Sequence, residues 1–326
     1  MALKTELVAE INELREKHNA AILCHYYEEG DIQDIADHIG DSLFLAQIGK
    51  KIDNPVVVMA GVTFMAESVK LLSPEKAVLV PDMNAGCSLV DSSPYKDYQK
   101  WREDHPEAIC VSYVNCSAEV KALSDVVCTS SNAEKIIAAI PKDRQILFGP
   151  DRNLGGYLQR KTGRDMVLWP GTCQVHVLFS AQKLFELKAE HPDALVLAHP
   201  ECDEQVLLHA DVIGSTSRIL QEVKNNPNGK FIIATEVGIF HEMQKQSPQA
   251  ELIQAPFQGH CACNECPYMK LNTLEKIRNC LRDLKPQIAI KPELYELALL
   301  SLDRMMKITD GKPVTWPERF ISPNLR

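Results

Sequence analysis

Residues 20–44 read AAILCHYYEEGDIQDIADHIGDSLF, residues 108–132 read AICVSYVNCSAEVKALSDVVCTSSN, and residues 194–218 read ALVLAHPECDEQVLLHADVIGSTSR. Each opens on a short apolar run that stops at a ring-bearing residue: His25, Tyr113 or His199. A hydroxyl follows each of these 17 residues later, at Ser42, Ser130 and Thr216. A second apolar run ends 36 residues after the same three starts, at Gly61, Gly149 and Thr235. A cysteine then closes each segment, with Cys87, Cys173 and Cys266 lying 62, 60 and 67 residues beyond the starts. Four landmarks recurring at a period of about 87 residues predict a triplicated unit rather than three unrelated segments.

Outward from these segments the same grammar continues. PVVVMA, KAVLV, DVVC, QILF, DMVLW, DVI and KFIIA are further strand-like runs, each followed by a polar or glycine stop and most of them by a helical pattern, which makes ten strands in all. Strand–helix alternation is the signature of parallel sheets covered by helices on both faces. The expected fold class is therefore α/β: three pseudo-threefold-related αβα (Rossmann-like) domains around a central active site. Residues 1–90 form the first repeat, 91–178 the second, and 179–326 the third with C-terminal helices. The segments Asp91–Pro106 and Phe179–His191 join the repeats and are expected to act as hinges.

Composition narrows the function. The 326 residues are 45% hydrophobic and 24% charged, the balance of an ordinary globular chain with no long disordered tract. Against 44 acidic residues there are only 35 Lys and Arg, a net charge of -9, so no cationic surplus is available to neutralise nucleic-acid phosphates. The longest stretch without a strongly polar residue, Pro55–Ala66, is too short to cross a bilayer, and no membrane association is expected. Leu3, Leu7, Ile11 and Leu14 sit at helical spacing among acids, which is an amphipathic helix and not a signal peptide. A cytoplasmic location is expected. No G-x-G-x-x-G follows any of the runs, which argues against a dinucleotide-binding enzyme.

In parallel α/β units ligands bind beyond the carboxyl ends of the strands, where all the recurring landmarks fall. His25, Tyr113, His199 and the three hydroxyls would then surround a small molecule. The hydroxyls precede helical patterns, so they are expected either to cap helices or to bind anions at helix amino termini. Eleven cysteines without an export signal argue for thiols rather than disulfides. Cys24, Cys110 and Cys128 lie in apolar runs and read as buried hydrophobes. Cys87, Cys173 and Cys266 lie in loops, and three converging thiolates suit zinc or an iron–sulfur cluster with one iron left open. An open iron is a Lewis acid suited to removing water from a hydroxy acid. A rival is a local structural zinc on His260, Cys261, Cys263 and Cys266, cramped against usual ligand spacing. A hydro-lyase acting on one hydroxy acid is a second alternative. His105, His191, His209 and His241 fall away from strand ends and read as structural.

Over nearly its whole length the chain also resembles the quinolinate synthases of de novo NAD biosynthesis. The resemblance is carried by HYY at 25–27, GDSL at 40–43, GVTFMAES at 61–68, LSPEK at 72–76, GCSL at 86–89, YVN at 113–115 and TSSN at 129–132. It continues through PDRNLG at 150–155, WPGTCQVH at 169–176, HPE at 199–201, GSTS at 214–217, TEVGI at 235–239 and CPYMKLNTL at 266–274. It implies a [4Fe-4S] cluster on Cys87, Cys173 and Cys266, and condensation of iminoaspartate with dihydroxyacetone phosphate to quinolinate, phosphate and two waters. The implied substrate-binding set is His25, Ser42, Tyr113, Val114, Asn115, Ser130, His176, His199, Pro200, Glu201 and Thr216. Tyr27 also lines the implied pocket. Among these Glu201 is the expected general base, with His199 and Tyr27 as catalytic proton carriers, while His25 and Ser42 fix a dicarboxylate. Aspartate oxidase is the implied supplier of iminoaspartate.

Overall fold

In the computed structural model, residues 2–258 and 264–323 are described. Twelve strands among them form three four-stranded sheets. The first holds β1 (Ala20–His25), β2 (His38–Gly40), β3 (Val56–Ala60) and β4 (Ala77–Leu79). The second holds β5 (Ile109–Tyr113), β6 (Val126–Cys128), β7 (Ile146–Gly149) and β8 (Met166–Leu168). The third holds β9 (Leu195–Ala198), β10 (Val212–Ile213), β11 (Lys230–Ala234) and β12 (Glu251–Gln254). Their orders are β2-β1-β3-β4, β6-β5-β7-β8 and β10-β9-β11-β12, one topology three times over, with every pairing parallel. The fold is α/β, three αβα units.

The central strands read as unbroken apolar runs because helices cover both of their faces. Every residue of β1, β3, β5 and β7 is buried. The two strands absent from the ten expected are β2 and β12, which lie at sheet edges. HIG is three residues long, and ELIQ is mostly half-exposed and carries Glu and Gln, so neither has the β-branched burial pattern of an inner strand.

Val57 and Val111 of the first two sheets share one core with Leu294, Ala298 and Leu302 of the helix Pro292–Thr309. The third sheet packs between two cores of its own. The expected hinges are firmly anchored. Asp91–Pro106 contains the helix Tyr95–Glu103, whose Arg102 is fully buried, 2.8 Å from Asp125 Oδ2 and stacked 4.5 Å from the Phe320 ring. Leaving Asp125 without that guanidinium would strand a buried charge, so the connector is held where a hinge would need freedom. Phe179–His191 likewise holds the helix Ala181–Glu190, capped by Ser180 and seated on the buried Leu184. No helix among the described residues is long and apolar enough to cross a membrane.

Candidate active site

The carboxyl ends of all three sheets line one cavity. Its walls include His25, Tyr27, Ser42, Tyr113, Asn115, Ser130, His176, His199, Glu201 and Thr216, together with Cys87, Cys173 and Cys266. Val114 and Pro200 are buried and are not among the lining residues, though each is one residue from a wall residue. A residue from the end of the first strand of every unit and a hydroxyl from every unit meet there, as the repeat register predicts. The structural histidines stay away: His105 is bonded to the Trp101 carbonyl and His241 to Asp34.

Local geometry decides what the hydroxyls are free to do. Asp41 and Ser215, the residues before Ser42 and Thr216, are the actual N-caps, accepting from Phe44 N at 2.9 Å and Arg218 N at 3.3 Å. In the second unit Asn132 Oδ1 accepts from Thr129 N at 2.7 Å ahead of the helix Ala133–Ala139. Side-chain capping therefore falls to the preceding neighbour in the first and third units, Asn132 makes no cap bond in the second, and Ser42, Ser130 and Thr216 line the cavity.

His25 and His199 occupy equivalent places and are fixed the same way. The backbone N–H two residues on donates to Nδ1 in both, from Tyr27 at 3.2 Å and from Glu201 at 3.4 Å. An Nδ1 that accepts leaves the proton on Nε2, so both rings are neutral N–H donors. Burial pushes His25 down to about 4 and His199 to about 3, against the opposing pull of Asp41 on the first and of Glu201 on both. His199 Nε2 lies 3.2 Å from Ser130 Oγ, and its ring stacks on His176 at 4.7 Å.

Glu201 is the charged centre. Tyr113 donates its hydroxyl to Oε1 at 2.6 Å, and His176 Nδ1 lies 2.9 Å from Oε2. Burial alone would raise this carboxyl, but the imidazoles of His199 and His176 and the two hydrogen bonds outweigh it and hold the group below the ordinary carboxylate range. Burial, and then the charge of Glu201, push the Tyr113 and Tyr27 phenols well up, keeping both protonated. Tyr27 shares a 2.6 Å hydrogen bond with Thr235, which also lies 3.0 Å from His176 Nε2. Asn153 donates to the Glu201 carbonyl at 3.0 Å, joining the second unit to the third. Asn115 Oδ1 is buried with no hydrogen-bond partner among the described residues, an orphaned acceptor in the cavity wall.

The three cysteines are half-buried free thiols on the loops that follow β4, β8 and β12. Burial pushes Cys87 up to about 12, Cys173 well up and Cys266 to about 11, with neighbouring thiolate or carboxylate charge adding to each. Thiols so placed lack a cation to stabilise their charged form, and an all-sulfur donor set fits a metal or an iron–sulfur cluster. A second donor group is mixed: Cys173 Sγ, His176 Nδ1 and a Glu201 oxygen lie within 4.8 Å of one another. His260, Cys261 and Cys263 of the local zinc alternative lie outside the described residues.

Two carboxylates with no role assigned from the sequence support the cysteine loops. Asp151, fully buried, accepts from Leu154 N at 2.7 Å and from Cys173 N at 3.1 Å. Glu236, also fully buried, accepts from Gly238 N at 2.6 Å and from Cys266 N at 3.1 Å, and Lys270 Nζ lies 3.3 Å away. Asp151 lies two residues after the landmark Gly149 and Glu236 one after Thr235, so an acid close behind a landmark was the signal that could have found them.

A family model described as quinolinate synthetase A protein matches residues 9–307. The quinolinate synthase of Trichormus variabilis is 52% identical over 308 residues, which covers 94% of this chain and 95% of that protein. Those of Microcystis aeruginosa and Chloroherpeton thalassium are also 52% identical, over 308 and 305 residues, covering 94% and 93% of this chain and 97% and 95% of theirs.

Proposed function

The chain belongs to the quinolinate synthetase A protein family and is an enzyme of quinolinate synthesis, and on that premise we propose that it condenses iminoaspartate with dihydroxyacetone phosphate, releasing phosphate and two waters. The observation that carries this reading is the single cavity in which three thiols, two neutral imidazole donors and one hydrogen-bonded carboxylate meet from three units.

Cys87, Cys173 and Cys266 would hold a [4Fe-4S] cluster, which supplies one open iron as a Lewis acid for a substrate oxygen or nitrogen. The protein's own groups do the rest. His25 and His199 donate through Nε2–H, and Ser42, Ser130, Thr216 and Asn115 complete a polar lining for two carboxylates. A dianion entering this buried pocket brings negative charge against Glu201. Its carboxyl group rises from its depressed resting value, and it becomes a base able to take a proton from substrate carbon. Tyr27 and His199 carry protons between substrate oxygens and the Thr235–His176 chain. The buried Val114 and Pro200 close the wall behind Tyr113 and His199 and exclude water, which would hydrolyse the imine. Aspartate oxidase is the proposed supplier of that imine, and the cytoplasm the proposed location.

Anaerobically purified protein should carry about four irons with matching sulfide per chain and form quinolinate from this substrate pair. Iron-loaded protein that makes no quinolinate from them would reject the substrate assignment. One zinc per chain in active protein would move the metal to the mixed Cys173–His176–Glu201 group.

A further inference from the structure

Asp41 Oδ2 accepts two hydroxyls from two other units: Ser131 Oγ at 2.7 Å and Ser217 Oγ at 2.6 Å. Its other oxygen caps the helix Ser42–Lys51. Each member of this cluster is the chain neighbour of one cavity hydroxyl: Asp41 of Ser42, Ser131 of Ser130, and Ser217 of Thr216. The repeat register makes the arrangement legible. The position before the hydroxyl is Asp41, Thr129 or Ser215, and the position after it is Leu43, Ser131 or Ser217. The first unit alone places a carboxylate in front, and the other two alone place hydroxyls behind, so one acceptor faces two donors where three copies of a single residue could not pair.

We propose that Asp41 is a positioning residue for quinolinate formation, its carboxylate tying the three hydroxyl-bearing turns into one register across all three units. The O–H···O⁻ distances are those of charge-assisted bonds, and Asp41 is 7% exposed, so the acceptor end is shielded. Ser131 is exposed, which leaves that bond open to exchange with water and lets the turns separate when ligand enters or leaves. Asp41 lines the cavity as well, but its oxygens are engaged by Phe44 N, Ser131 and Ser217, so it acts through Ser42, Ser130 and Thr216, setting the spacing with which they meet a dicarboxylate. This inference rests on reading the central cavity as the substrate pocket.

The test compares wild-type holoenzyme with Asp41→Asn, with the Ser131→Ala/Ser217→Ala pair and with the Ser131→Thr/Ser217→Thr pair. Asn caps a helix about as well as Asp, so Asp41→Asn should fold and melt like wild type while losing the charge that holds both serines. Losing hydrogen bonds to a buried charge should raise the KM for the dicarboxylate substrate, and the Kd for quinolinate read by titration, by about tenfold in Asp41→Asn and in the alanine pair. The threonine pair keeps both hydroxyls and should recover most of the affinity. A tie that is only structural would lower the melting temperature and leave KM and Kd alone. Values within twofold of wild type in Asp41→Asn would overturn the role of Asp41 even if the alanine pair failed to fold. A wild-type enzyme without turnover, or without quinolinate binding, would overturn the pocket reading itself.

Discussion

Glu201 gathers a phenol, an imidazole and a backbone-fixed neutral histidine around one carboxylate. Glu201→Gln keeps the volume and removes the proton acceptor, so quinolinate formation should fall by about 10²–10⁴-fold with iron content and melting temperature retained. Near-normal turnover would hand the base role to another group. A different residue sets a pH dependence of stability. Glu28 is fully buried, accepts from Asn272 at 2.7 Å through Oε1, and has no partner at Oε2 among the described residues. Burial raises it to about 8, partly offset by the Asn272 bond. Between its unfolded value near 4.5 and this folded value, the folded state holds a proton that the unfolded state has released. Stability attributable to Glu28 is therefore full below pH about 4.5 and is lost as pH rises toward about 8. Glu28→Gln should remove that slope, so the melting-temperature gap in favour of the variant should widen from pH 5 to pH 8. A constant gap across that range would show that Glu28 is not held protonated.

At the level of elements, the cysteine loops and the turns beneath them carry the site. Cys87→Ser, Cys173→Ser and Cys266→Ser should each abolish iron binding, whereas Cys261→Ser and Cys263→Ser should retain it. Full iron in Cys87→Ser after anaerobic reconstitution would contradict the three-loop assignment. Gly238 shows why the turn after β11 has its sequence. A Cβ there would lie 2.8 Å from the Tyr27 backbone and from Glu236 Oε2, so the glycine permits close approach of the first unit to the third. Gly238→Ala should cost about 1–3 kcal/mol and reduce quinolinate formation by displacing Tyr27 and Glu236. Gly156 in the helix Arg152–Thr162 is the control. Its added Cβ would meet only the end of Arg160 at 3.4 Å, and Gly156→Ala should raise stability by about 0.5–1 kcal/mol. Thermal melts of the two variants should move in opposite directions.

For the whole molecule, the cavity takes one wall from each of three units, so a ligand must act on all of them together. Hydrogen exchange with and without phthalate, a product-like dicarboxylate, should show slower exchange at the ends of β1, β5 and β9 and at the turns preceding Ser42, Ser130 and Thr216. Protection in one unit alone would place the binding site inside a single domain and reject the shared cavity.

Strand runs and their register were enough to locate the unit, its three copies and the ring, hydroxyl and cysteine landmarks of the cavity, because inner parallel strands are continuous apolar runs that stop where the backbone meets the site, whereas Tyr27, Asn115, His176 and Glu201 came from the family resemblance. The runs ending at His25, Tyr113 and His199 announce both the strand and its functional end. The edge strands β2 and β12 were not legible, since HIG is only three residues long and ELIQ is mostly half-exposed with polar ends, so neither forms an apolar run. Nor could local pattern decide which residue of GDS or GST caps its helix, because either side chain suits a cap and the choice depends on where the turn aims them. The partnerships that make the cavity chemical, Tyr113 with Glu201, Asp151 with Cys173 and Asp41 with Ser217, join residues 88, 22 and 176 positions apart. The first and last span about one and two repeat periods, but the register marks positions and not partners, and the second lies within a single unit. The bonds between units exist only once the three separately specified units pack together, where burial forces each polar group to find whatever partner the other units bring.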